Sequence, residues 1–353
     1  MRLEVHEDSG DRKIINQKEL HKMTVKNKLF MLGMATVFSL GLAGCGDTEK
    51  ANNDSKEASA EKEEAATEET KEAAETQMIT YLGEEYTIPK KINNIATASL
   101  EAMEDAAVLG VKPVGAITVA GELPAYLAKD LAGAESIGEK MQPNYETLLQ
   151  LKPDVILGTS KYQPDVAEKL NKVATMVPVS HISTNWADNL RLMGELTGKD
   201  AETEKIISDY NADAEKTKEE LADTIKNKKM VVLRIRSGNM MVYPESVYLN
   251  PVIYQDLGAT VPEEIKAAKA QEEISLEKLA QMNPDYIFLQ FESSENKDNP
   301  KALEELQNNP IWKSTTAAKE DHVFVNAVDP LAQGGTAWSK TTFLKAIKEN
   351  IAK

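Results

Sequence analysis

The chain carries one seventeen-residue pattern twice, and this duplication limits its fold more than any other feature. Residues Asn144–Ser160 read NYETLLQLKPDVILGTS, and residues Ser275–Phe291, 131 positions later, read SLEKLAQMNPDYIFLQF. Each copy opens on a residue suited to cap a helix and places a Glu in the first turn. A short helix follows, then a Pro-Asp turn and an apolar strand. Helix–turn–strand units resemble one another by chance often enough. One copy in each half of the body nevertheless points to two similar α/β lobes. Further apolar runs at Val114–Ile117, Met176–Val179, Val231–Arg236 and Val323–Val325 alternate with helical patterns, which predicts parallel sheets. Between the halves, Ile206, Tyr210, Ala214, Thr217, Leu221 and Ile225 recur at spacings of three and four, the single apolar stripe of one long helix. The predicted class is therefore α/β, with a first lobe over 78–199, a connecting helix over 200–227, a second lobe over 228–353 and a cleft between the lobes.

The residues before Met78 read differently. Met23 to Cys45 has the form of a lipoprotein signal peptide, with Lys26 and Lys28 ahead of the short apolar stretch Leu29–Leu40 and the lipobox Leu42-Ala43-Gly44-Cys45. The alternative is an uncleaved membrane anchor, for which the apolar run is short. On the first reading Cys45 becomes a diacylated N-terminus, and two acyl chains hold a protein to a bilayer far better than one. The polar residues 1–22 are a misassigned extension if translation starts at Met23, and a long leading region otherwise. Residues 46–77 hold 11 acids and 4 lysines with no large apolar side chain, which reads as a solvated tether.

Composition removes several functions. The formal charge of −16 argues against nucleic acid as a partner. Cys45 is the one cysteine, so an intrachain disulfide and a Cys-based metal site are both excluded. The four histidines, His6, His21, His181 and His322, are scattered, and no nucleophile elbow, HExxH, phosphate loop or dinucleotide fingerprint is present. No catalytic residue, metal ligand or cofactor is predicted, and the protein is not expected to be an enzyme.

The basic residues are more informative. In Val231–Arg236 an apolar strand is interrupted by Arg234 and Arg236, which alternation puts on one face near the strand's C-terminal end. Ligands of open α/β sheets sit beyond that end. Two adjacent guanidiniums repel unless an anion or an acid neutralises them; the alternative is an edge strand with a solvated outer face. Lys161 also follows a strand, and Lys140 and Lys269 precede the two copies of the repeated helix. Any one of these lysines reads as a surface residue, but together they could line a positive cleft in an acidic protein.

At these residues the chain resembles the siderophore-binding lipoproteins of ABC iron importers, a helix-linked, two-lobed class of binding proteins. Within that family it is most similar to members that carry ferric catecholates of the bacillibactin and enterobactin type. The resemblance covers about 78–353 and is specific at Gly138–Met141, Ser180–Trp186, Arg234–Asn239, Lys266–Glu272 and Asp329–Trp338. It implies Rossmann-like lobes and a ligand site at Lys140, Lys161, Arg234, Arg236 and Lys269. It also implies permease docking through Glu146 and Glu277, one per lobe. The implied cargo is an iron(III)–siderophore complex, a tris-catecholate trianion in which the siderophore supplies every iron ligand; a ferric hydroxamate or ferric citrate complex is the alternative. The implied setting is a monomer anchored by lipid on the extracellular face of the cell membrane, partnered by the permease.

Overall fold

The structure is a computed structural model that describes residues 75–351; the signal segment, Cys45, residues 46–74 of the tether, His6 and His21 lie outside the described residues. It opens on a hairpin, β1 (Thr76–Tyr81) and β2 (Glu84–Pro89), turned at Leu82-Gly83 with both residues at positive φ. The first sheet holds β3 (Ile95–Ala98), β4 (Gly115–Thr118), β5 (Glu135–Glu139), β6 (Gln142–Pro143), β7 (Val155–Thr159) and β8 (Met176–Val179). Its order is β6-β5-β4-β3-β7-β8, parallel except for β6. The second sheet holds β9 (Met230–Arg236), β10 (Asn239–Val242), β11 (Glu272–Glu273), β12 (Tyr286–Phe291) and β13 (Val323–Val325), in the order β11-β10-β9-β12-β13. Here β9, β12 and β13 run parallel and β10 opposes both its neighbours.

The two copies of the repeated pattern fold alike. Each follows a two-residue strand, β6 or β11, and each helix is capped as its sequence requires. Asn144 Oδ1 accepts from the amides of Glu146 and Thr147, and Ser275 Oγ accepts from the Lys278 amide. Both helices, Tyr145–Leu151 and Leu276–Met282, end on a left-handed residue, Lys152 or Asn283. The shared Pro-Asp then has a specific task. Asp154 accepts from the amides of Asn93 and Asn94 at 2.7 and 2.8 Å, just before β3. Asp285 accepts from the Lys229 amide at 2.8 Å and from Lys228 Nζ at 2.9 Å, just before β9. Each aspartate thus fixes where β7 or β12 starts against its parallel neighbour, using charge-assisted bonds that contribute about 1.5–3 kcal/mol each.

One long helix, Asp200–Ile225, stands between the sheets in the sequence. Its buried stripe is Thr203, Ile207, Tyr210, Ala214, Thr217, Leu221 and Ile225, so Ile207 takes the core place expected of Ile206. Ile206 lies one position round and is half-buried. The final helix, Ala337–Ile351, packs on this long helix and on Leu100–Val108 and Trp186–Thr197 of the first half rather than on the second sheet alone. There the ammonium of Lys340 is buried. It donates to Asp256 at 2.7 Å, lies 4.9 Å from the Tyr210 ring centre and 5.5 Å from that of Trp186, and Tyr210 OH donates to the same carboxylate.

Candidate functional site

The C-terminal ends of the parallel strands in both sheets carry the charged groups. After β3 the helix Leu100–Val108 begins, with Glu101 buried in its first turn. After β5 comes Lys140, after β7 comes Lys161, and after β8 comes His181. In the second sheet, Arg234 and Arg236 end β9, and β12 leads into the short helical turn Ser293–Asn296 that holds Glu295. Since β9 is the central strand of its sheet, the edge-strand explanation for two arginines fails.

Local sequence sets the Lys140 turn. Gly138 has φ +93°, and a Cβ there would lie 2.6 Å from the Gln142 carbonyl oxygen and 2.7 Å from the Asn144 amide. Glu139 accepts from Thr118 Oγ1 and from the amides of Ala120 and Gly121, which holds the neighbouring turn against the end of β5. Lys140 is then turned inward, with Nζ 3.4 Å from Gln333 Oε1. Burial pushes its pKa down to about 8. The positive charges of Lys161 and Arg234 work in the same direction, while Glu101 and Glu295 oppose it.

The other cations differ in what they offer. Arg234 has a side chain only 7% exposed, donates through Nε and Nη2 to Glu295 at 2.9 Å, and lies with its guanidinium 5.4 Å from the Tyr248 ring centre. Arg236 is 42% exposed, donates to Gln271 Oε1 at 2.7 Å and stands 3.4 Å from the other Glu295 oxygen. Lys161 is 41% exposed, 4.0 Å from the buried Glu101. Lys269 is exposed, and no acid among the described residues pairs with its ammonium; its amide donates to Glu272. Thus Arg236, Lys161 and Lys269 are the more exposed of the five, whereas Lys140 is half-buried and Arg234 buried.

Sequence reasoning missed Glu101, Glu295, Gln271 and Gln333. It asked for an anion or an acid to neutralise the arginine pair, and Glu295 is an acid placed to do so. His181, one of the scattered histidines, follows β8. Its Nδ1 lies 2.9 Å from Ser160 Oγ, and burial followed by the nearby Lys161 charge lowers its pKa. Among the described residues no carboxylate hydrogen-bonds to His181, and no group of three or more His, Cys, Asp or Glu is placed to hold a metal ion.

Gly334 and Gly335 bring the two halves close. A Cβ on Gly334 would meet Tyr248 backbone at 2.3 Å, and one on Gly335 would meet Ser183 Cα at 3.1 Å. The Ser183 amide also donates to the Ser246 carbonyl. On the same stretch, the carboxylate of Glu104 accepts from Tyr126 OH, the Gln333 amide, Thr336 Oγ1 and Ser339 Oγ. Glu104 is fully buried, which raises its pKa to about 7 against the pull of those four donors.

A family model described as periplasmic binding protein matches residues 95–327. The chain belongs to that family. A relative from Bacillus subtilis (strain 168), an iron-uptake system-binding protein, is 51% identical over 282 residues, covering 80% of this chain and 89% of its own. The crystal structure of the triscatecholate siderophore-binding protein FeuA from Bacillus subtilis, complexed with ferri-bacillibactin, superposes with a TM-score of 0.75 at 51% identity and covers 78% of this chain and 98% of that one. A Staphylococcus aureus SirA structure, complexed with staphyloferrin B, gives a TM-score of 0.68 at 24% identity, covers 78% of this chain and 98% of that one, and shows the shared fold alone. The architecture is that of the class III binding proteins of this family, two α/β lobes joined by one long helix.

Proposed function

We propose that this family member captures a ferric siderophore of the tris-catecholate type in the cleft and delivers it to the permease of an ATP-driven importer. The observation that carries the reading is that Lys140 of one lobe lies near enough to Lys161 and to Arg234 of the other for their charges to act on it, while Arg234 and Arg236 share Glu295; Lys269 is assigned to the same cleft by the family resemblance. A ferric tris-catecholate is a compact trianion with aryl oxygens around its surface. Ammonium and guanidinium groups donate charge-assisted bonds to such oxygens, and a guanidinium does so as a fork. The similar protein FeuA, solved with ferri-bacillibactin, supports this cargo class. Iron arrives wrapped by its siderophore, so the protein supplies charge, shape and hydrogen bonds, and no turnover of the cargo is expected.

Titration against ferric tris-catecholate, ferric hydroxamate and ferric citrate tests the proposal. Tight binding of the first and at least tenfold weaker binding of the others is expected, and preference for a neutral hydroxamate would overturn it. The same titration has a predicted pH dependence through Lys140. The bound trianion favours the ammonium, so binding above pH 8 takes up a proton. Affinity should be flat below about pH 8 and then fall by up to about tenfold per unit as pH rises. Lys140→Gln should flatten that slope, and an unchanged slope in the variant would assign it to another group. The sign for stability is opposite. The folded state binds fewer protons than the unfolded chain between about 8 and 10.5, so stability rises with pH across that window.

The anchor belongs to the same proposal. Cys45 completes the lipobox and is the proposed site of acylation, which would leave the protein tethered on the extracellular face of the membrane. Cys45→Ser is expected to release the protein into the medium or to leave an unprocessed precursor; a normally processed, membrane-bound variant would refute the assignment.

A further inference from the structure

We propose that Glu101 and Glu295 are built-in counter-ions, one per lobe, that set the charge the cleft selects. The inference rests on the siderophore reading and goes beyond it by assigning charge specificity to two residues that need not touch the cargo.

Among the described residues, these are the two carboxylates within 4.0 Å of the ammonium or guanidinium group of any of the five cations. Glu295 divides its oxygens: Oε2 takes Nε and Nη2 of Arg234, and Oε1 faces Arg236. Its turn is held in place by Asn296, whose side chain accepts from the Gly238 amide and donates to the Ile235 and Glu292 carbonyls. The Ser237 amide also donates to the Glu295 carbonyl. The carboxylate therefore has a fixed position under the arginine pair. In the other lobe Glu101 is only 3% exposed, seated at the start of its helix with Lys161 above it. Each charge favours the cationic form of Lys140, Glu101 from within the same lobe and Glu295 from across the cleft.

Two carboxylates against five cations leave a net of three positive charges. That equals the charge of a metal(III) tris-catecholate. With all five cations bare, the empty lobes would repel each other, and any small polyanion would be attracted. With the counter-ions in place, Arg234 is held by Glu295, while Arg236, Lys161 and Lys269 remain exposed. Glu292, Asp329 and Glu139 keep their charges but accept from the Ser294 amide, the Leu331 amide and the turn beside β5, and none of them forms an ion pair with the five cations, so the tally counts only the paired groups.

The test uses two complexes of one shape and different charge: gallium(III) tris-catecholate, a trianion, and germanium(IV) tris-catecholate, a dianion. The measured quantity is the ratio of their affinities for the wild-type chain, Glu295→Gln, Glu101→Gln and Glu295→Asp. A merely structural loss weakens both complexes together and leaves the ratio alone. Removing one internal negative charge should widen the preference for the trianion roughly tenfold in each Gln variant, as expected for one extra unit charge at cleft distances and an effective dielectric above that of a dry interior. Glu295→Asp keeps the charge and should keep the wild-type ratio. Measuring both Gln variants guards against one failing to fold, since the two carboxylates lie in different lobes. An unchanged ratio in the folded Gln variants overturns the counter-ion role while leaving the siderophore reading intact. A wild-type chain that binds neither complex overturns both.

Discussion

Arg236→Ala lowers the affinity for a ferric tris-catecholate by on the order of 2–5 kcal/mol, the cost of removing one partner of a charge pair that becomes desolvated in the complex. Of the two arginines, Arg236 is the one that offers itself to a ligand. It is half-exposed and held by one neutral hydrogen bond to Gln271 and a longer contact to Glu295. Its loss leaves Glu295 still satisfied by Arg234, so the fold should lose little stability. Arg234→Ala behaves differently. It strips the Glu295 carboxylate of both short contacts and leaves Gln290, its neighbour across the parallel strands and itself buried with no hydrogen-bond partner, beside a void. Substantial destabilisation, measured by denaturant unfolding, should then accompany any loss of binding. Calorimetric titration of the two variants separates the roles. Undiminished affinity in Arg236→Ala would remove the arginine pair from the site.

The second large effect concerns delivery. Glu146 and Glu277 occupy the same place in the two copies of the repeat, each in the first turn of a capped helix. Both side chains are exposed, and neither forms an ion pair among the described residues. In the second lobe the helix start borders a groove of about 270 Å³ whose largely apolar lining includes Glu273 and Glu305. Compensation of the helix dipole accounts for a Glu at these positions and contributes about 0.3–1 kcal/mol. Exposed charges at matching points on two lobes would also fix orientation on a permease with matching cations, because rim charges act on encounter and register. The double variant Glu146→Ala, Glu277→Ala should bind ferric siderophore normally and melt near the wild-type temperature, yet fail to support uptake in cells. Normal uptake at native expression would leave the helix-dipole account alone.

Much of this was legible in the sequence because its causes are local. The capped helices, the Pro-Asp turns and the apolar strands depend on neighbours within a few positions, and β7, β8, β9, β12 and β13 lie within about two residues of their expected places. The hairpin β1–β2 and the short strand β3 escaped notice, since most of Thr76–Tyr81 is exposed and Ile95–Ala98 is only four residues, three of them with small side chains. In the site, Arg234 and Arg236 stood out because they break an apolar run. Glu295 did not, since it acts on Arg234 from 61 positions away and sits in a polar turn. Lys340 escaped for a related reason: its partners Asp256, Tyr210 and Trp186 come from three distant stretches, and nothing beside it marks it as buried.

The last helix has a consequence for the order of events during synthesis. Phe343, Leu344 and Ile347 are buried, and their helix lies against Leu100–Val108, among the first helices of the body to be made. A ribosome therefore completes all six strands of the first sheet long before it supplies the apolar face that covers part of that half. Until Ala337–Ile351 emerges, the helix Leu100–Val108 lacks part of its cover, and that half of the nascent chain is incompletely packed. For the exported, lipid-anchored protein proposed above, being unable to finish folding before that helix exists would keep it pliable for as long as it must remain threadable.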